Sequence, residues 1–189
     1  VSQRAGYGKA ARPEFCEGCT TVRGAPTRPM KYPEAAEKAG FEHFMMKEIH
    51  EQPKAVHDTL NSVLKDDHID LTEVGLTEED IRKISQIYIV ACGSAYHVGM
   101  AAQYVIEDLA RIPVRVELAS EFRYRNPILD PNGLVIIVSQ SGETADSLAA
   151  LREAKQNGIR TLGIVNVVGS SIAREADNVF YTLAVRKSP

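Results

Sequence analysis

The sequence predicts an α/β fold: a three-layer sandwich with a five-stranded parallel sheet flanked by helices. Three observations lead there. Five short apolar runs, at 87–91, 114–118, 134–138, 161–165 and 179–183, alternate with stretches of helical character. Such alternation needs right-handed crossovers, which put parallel strands in one sheet with helices on both faces. The runs 87–91 and 134–138 are apolar throughout, as central strands buried on both faces are. The chain has 189 residues, 44% of them apolar and 25% charged, enough for one domain whose core needs no disulfide or metal.

Taken in order, residues 1–31 are rich in Arg, Gly and Pro and lack any apolar period, so they read as a disordered or non-native arm. Residues 32–85 read as an N-terminal helical linker segment. Within it, 42–51 is helical, and Pro53 suits the first turn of a second helix reaching about residue 64. An acidic connection follows, and Thr77 with Asp80 resembles a capping pattern for a short helix to 84. Residues 86–184 form the sheet domain, with helices at 96–111, 121–125, 144–157 and 171–175. The apolar face of the 144–157 helix is assigned to Ala145, Leu148, Leu151 and Ala154. The strand 114–118 alternates, which gives it one wetter face. Residues 185–189 read as a tail outside the family resemblance set out below. The chain starts at Val1 and stops just after an apolar run, so both ends read as cut.

Composition excludes several classes. A formal net charge of −3 leaves no footprint for nucleic acid or an anionic membrane. No run of eighteen apolar residues occurs, so nothing is expected to span a bilayer. Three cysteines without a secretory leader point to a reducing, cytoplasmic setting. His43, His50 and His57 recur every seven residues, about 10 Å apart on one helix and too far to share a metal. Pro53 is also expected to interrupt that helix. Cys16 and Cys19 form a lone C-x-x-C without the further ligands that zinc requires. Neither a metal nor a cofactor is expected.

Two loops can carry chemistry. Open parallel sheets bind ligands beyond the carboxyl ends of their strands, where helix N-termini point. Cys92-Gly93-Ser94-Ala95-Tyr96-His97 follows one central run, and Ser139-Gln140-Ser141-Gly142-Glu143-Thr144 follows the other. A hydroxyl before a helix is commonly only a cap. Two such loops on neighbouring strands, one with three hydroxyls in six residues, point beyond capping to an anion site suited to phosphate. Neither G-x-G-x-x-G nor G-x-x-x-x-G-K-[ST] is present, which disfavours nucleotides. The charged run Glu121-Phe122-Arg123-Tyr124-Arg125 fits either a solvated short helix or a partner contact.

The segments FEHFMMKEIHEQP, ACGSAYHVG, ELASEFRYR, LVIIVSQSGETADSLAALREAK and NVVGSSIAREAD, in that order and spacing, resemble the first sugar isomerase (SIS) domain of the glutamine–fructose-6-phosphate aminotransferase family, over about residues 33–184. The resemblance implies a SIS-type, flavodoxin-like sheet. It also implies a hexose 6-phosphate ligand, fructose 6-phosphate or glucosamine 6-phosphate. Ser139, Gln140, Ser141 and Thr144 would grip the phosphate, while Cys92, Gly93 and Ser94 line the sugar site. Ala95 stands where the family more often carries a hydroxyl, and Val168 where it has proline. The resemblance further implies a cytoplasmic parent, homodimeric at full length, that makes glucosamine 6-phosphate from fructose 6-phosphate and glutamine. The glutaminase domain and second SIS domain of that family have no counterpart in this sequence. No catalytic residue is therefore assigned, and the fragment alone is expected to be inactive. The competing expectation is a stand-alone SIS module that senses a sugar phosphate.

Overall fold

The computed structural model describes residues 40–184. The arm 1–31, with Cys16 and Cys19, and the tail 185–189 lie outside the described residues. The first helix, α1 (Phe44–Asn61), is continuous with Pro53 inside it, which corrects the expected break. An interior proline removes one i→i−4 bond and costs about 3 kcal/mol, so its flanks must hold the helix. Lys47–Glu51 and Lys54–Asp58 pair one turn apart on either side of Pro53. Thr59 Oγ1 accepts the Leu183 N–H at 2.9 Å. The helix turns a polar side inward: Lys47 is buried, whereas Met45, Ile49 and Val56 are 71, 58 and 63% exposed. The three histidines have separate neighbours. His43 is the N-cap position, His50 stacks on Phe41, and His57 hydrogen-bonds Asn61.

The acidic connection contains more structure than its sequence suggests. Leu64–Lys65 (β1) and His68–Ile69 (β2) pair antiparallel across Asp66 and Asp67, both at positive φ. Two aspartates can adopt that turn, but strands of two residues leave no readable alternation. A 3₁₀ turn, Thr72–Val74, leads to α2 (Glu78–Arg82). The capping box forms as expected: Asp80 N–H donates to Thr77 Oγ1, and Thr77 N–H donates to Asp80 Oδ2.

The alternating elements follow: β3 (Gln86–Ala91), α3 (Ser94–Ala110), β4 (Val114–Leu118), α4 (Ala119–Phe122), β5 (Gly133–Ser139), α5 (Ala145–Gln156), β6 (Arg160–Val165), α6 (Ser171–Glu175) and β7 (Asn178–Tyr181). The five strands β3 to β7 form one parallel sheet in the order β4-β3-β5-β6-β7. The apolar runs at 87–91 and 134–138 are thus adjacent interior strands, and β4, with its wetter face, is an edge. Helix α4 starts directly out of β4, earlier than the expected 121–125. Its Ala119 and Phe122, three residues apart and so on one side of the turn, are both buried in the core.

Strand alternation divides the core between the two faces of the sheet. Tyr88, Val90, Val135 and Ile137 pack with Phe122, Ala150, Leu151, Ala154 and Ile172 from α4, α5 and α6. On the other face, Ile87, Ile89 and Val114 meet Ala102 and Ile106 of α3, while Leu134 and Leu162 meet Val63, Val74 and Leu76. Full burial of a Leu, Ile or Phe contributes about 1.5–3 kcal/mol each. On α5 the buried stripe is Ser147, Ala150, Leu151 and Ala154, and Ala145 is exposed. The expected stripe stepped by three residues, which walks around a helix of 3.6 residues per turn.

Candidate functional site

Because Ala91 of β3 lies in register beside Val138 of β5, the loops 92–97 and 139–144 emerge side by side at the carboxyl end of the sheet. Between them lies a cavity of about 170 Å³. Six expected residues line it: Cys92 and Ser94 from the first loop, Ser139, Gln140, Ser141 and Thr144 from the second. Gly93 is not among the lining residues. It is the N-cap of α3, with φ +59° and ψ −135°, a backbone region essentially confined to glycine. Ser147, which the sequence reading missed, also lines the cavity and donates from its hydroxyl to Cys92 Sγ at 3.8 Å. The readable signal was a hydroxyl on the buried stripe of α5.

The second loop is bonded to itself. Ser139 is buried; its Oγ accepts the Gly142 N–H at 3.1 Å and lies 3.2 Å from Thr144 Oγ1. Ser141 Oγ accepts the Glu143 N–H at 3.3 Å. Thr144 is the N-cap of α5, yet its side chain makes no capping bond. The hydroxyl that would ordinarily close the helix end instead faces Ser139, leaving the first-turn N–H groups without a side-chain cap.

The loop is also held from behind by residues 166–172. Asn166 N–H donates to the Gln140 carbonyl at 3.1 Å, Ile172 N–H to the Gly142 carbonyl at 3.0 Å, and Ser171 N–H to Glu143 Oε1 at 2.7 Å. Ser171 holds the Glu143 carboxyl below its ordinary range by hydrogen bonding. Gly142 has φ +66°, and a Cβ on it would lie 2.0 Å from the buried Ser170 Oγ. Ser170 Oγ itself is buried without a hydrogen-bond partner among the described residues.

Among the described residues that line the cavity there is no carboxylate, imidazole or amine. The first-turn carboxylate of α5, Asp146, is paired with Arg123 Nη1 at 2.7 Å. Arg125 pairs with Glu117. Both arginines of the 121–125 run therefore serve contacts within the chain, while Tyr124 is 77% exposed. Among the described residues, no group of His, Cys, Asp or Glu is placed to hold a metal ion, and no helix is long and apolar enough to cross a membrane.

Residues 80–188 match the SIS domain family. The glutamine–fructose-6-phosphate aminotransferase (isomerizing) of Caldanaerobacter subterraneus subsp. tengcongensis is 60% identical over 152 residues, which cover 80% of this chain and 25% of that protein. The protein of the same name from Mycolicibacterium smegmatis is 55% identical over 150 residues, 79% of this chain and 24% of the relative. Among solved structures, the C-terminal domain of glucosamine-fructose-6-phosphate aminotransferase from Francisella tularensis superposes with a TM-score of 0.76 at 44% identity, covering 80% of this chain and 43% of that one. The chain spans about a quarter of the length of the curated relatives it matches.

Proposed function

The chain belongs to the SIS domain family, and from that premise we propose that it is the sugar-phosphate-binding piece of a glutamine–fructose-6-phosphate aminotransferase. Its ligand is a hexose 6-phosphate, fructose 6-phosphate or glucosamine 6-phosphate, whose phosphate lies in the 139–144 loop. Ser139, Gln140, Ser141 and Thr144 hold the phosphate, and Cys92, Gly93 and Ser94 border the sugar. The observation that carries this reading is the N-cap of α5: a threonine whose hydroxyl is not used for capping. A dianion there meets first-turn N–H groups, the positive helix end and three hydroxyls, with no lysine required.

The parent reaction combines fructose 6-phosphate with glutamine to give glucosamine 6-phosphate and glutamate. Moving protons between the sugar's first two carbons needs a positioned acid–base group. Because the described residues of the cavity lining offer only hydroxyls, an amide and a thiol among their polar side chains, this chain binds and orients but does not turn over. The parent works in the cytosol as a homodimer, independent of nucleic acid or membrane.

Calorimetric titration of the purified chain tests the binding claim. Fructose 6-phosphate binds and fructose does not, since a neutral sugar leaves the loop donors to water. Equal affinity for the two would reduce the loop to a helix opening. Formation of glucosamine 6-phosphate from fructose 6-phosphate and ammonia by this chain alone would overturn the division of labour.

A further inference from the structure

Glu143 poses an electrostatic problem. It sits between Ser141 and Thr144, in the loop assigned to a dianion, and a carboxylate facing that site would repel the ligand. The structure turns it the other way: Oε1 accepts the Ser171 N–H at 2.7 Å, across 28 residues of sequence. Beside it, Ile172 N–H takes the Gly142 carbonyl and Asn166 N–H the Gln140 carbonyl. Of these three ties, only the Glu143 tie is made by a side chain of the loop. Glu143 also donates its own N–H to Ser141 Oγ, so the residue tied to the 166–172 segment is bonded to a hydroxyl at the cavity.

We propose that Glu143 is a positioning residue: its carboxylate anchors the 139–144 loop to the backbone of the 166–172 segment and thereby sets the Ser141 and Thr144 hydroxyls for the phosphate. The inference rests on the phosphate reading of that loop. Glu143 does not touch the ligand; it fixes the loop before the ligand arrives, so that less ordering remains to oppose binding. The arrangement also removes a negative charge from the cavity by engaging it elsewhere.

The test compares the full chain with Glu143→Ala and Glu143→Gln, each titrated with fructose 6-phosphate well below its unfolding temperature. Alanine removes the acceptor and weakens binding about fivefold or more, whereas glutamine, which keeps an oxygen acceptor, restores affinity to within about twofold. In parallel, amide exchange at Ser171 and Ile172 accelerates in the alanine variant and not in the glutamine variant. A carboxylate that merely repelled phosphate would predict the opposite, tighter binding in both variants. A purely structural role would lower the melting temperature of the alanine variant without changing affinity. Either result, with wild type binding normally, overturns the inference alone. Failure of the wild type to bind fructose 6-phosphate would overturn the phosphate reading itself.

Discussion

The loops 92–97 and 139–144 leave neighbouring strands at the same end of the sheet, and each opens a long helix, but they are held in different ways. The first has an exposed Gly93 with nothing within 4 Å of a would-be Cβ. Cys92 of this loop packs against the core and accepts a weak hydrogen bond from Ser147. The second is bonded to itself through Ser139 and Ser141 and to the 166–172 segment through three N–H donors. Charge recognition depends on donors fixed before the ligand arrives, because reorientation is then avoided at binding. A loop facing the neutral end of a sugar can remain adaptable. On the proposed reading, the loop with more hydrogen bonds is the one that takes the anion, and the less bonded loop borders the sugar.

Substitutions can break that contrast. The largest effect is expected from Gly142→Ala. A methyl group there meets Ser170 Oγ at 2.0 Å on a backbone of positive φ, so stability falls by about 3 kcal/mol or more in urea unfolding, and sugar-phosphate binding is lost. Near-native stability would show that the bracing gives way easily. Next come Ser141→Ala and Thr144→Ala, each weakening fructose 6-phosphate about tenfold by calorimetry, against less than about threefold for Ser94→Ala in the other loop. Equal losses in the two loops would erase the distinction between charged and neutral ends. Gly93→Ala is smaller than Gly142→Ala in stability. It carries only backbone strain, about 1–2 kcal/mol, and its excess over an unstrained site isolates that strain from the steric clash at 142.

The mildest probe is pH. Glu143 titrates below the ordinary glutamate value of 4.5 because Ser171 hydrogen-bonds its charged form. A depressed folded pKa means the tie is intact above the ordinary value and is lost as pH falls through the lower one. In nuclear magnetic resonance spectra of the unliganded chain, the Ser171 and Ile172 amides should shift with a midpoint below 4.5, while amides of 93–97 stay flat over the same range. Matching titrations in both loops would argue for global acid loosening instead.

Much of this contrast was absent from local sequence pattern. The five strands were readable because buried parallel strands carry unbroken apolar runs, and the two chemistry-bearing loops because each follows such a run. The seven candidate residues came from those loops, and six of them line one cavity. Ser147 was missed because a lone hydroxyl inside a helix ordinarily reads as surface. The bracing of 139–144 was invisible for a stronger reason: its partners lie 26–30 residues away and act through backbone N–H groups, which every residue but proline possesses. Pro53 misled in the reverse direction: the helix runs on through a strong local breaker, with an ion pair on either side of it and a tertiary bond at Thr59.

The contact between Gly142 and Ser170 has an evolutionary consequence. Two positions 28 residues apart compete for one small volume, so position 142 cannot gain a side chain before position 170 has lost its own. A side chain at 142 is viable only after 170 has been reduced to glycine, and even then positive φ restricts the newcomer to residues such as asparagine or aspartate. The order of substitution is thereby constrained: one double change is reachable through one intermediate and closed through the other. A loop from a relative with a side chain at 142 would be accommodated only if the residue at 170 were exchanged with it.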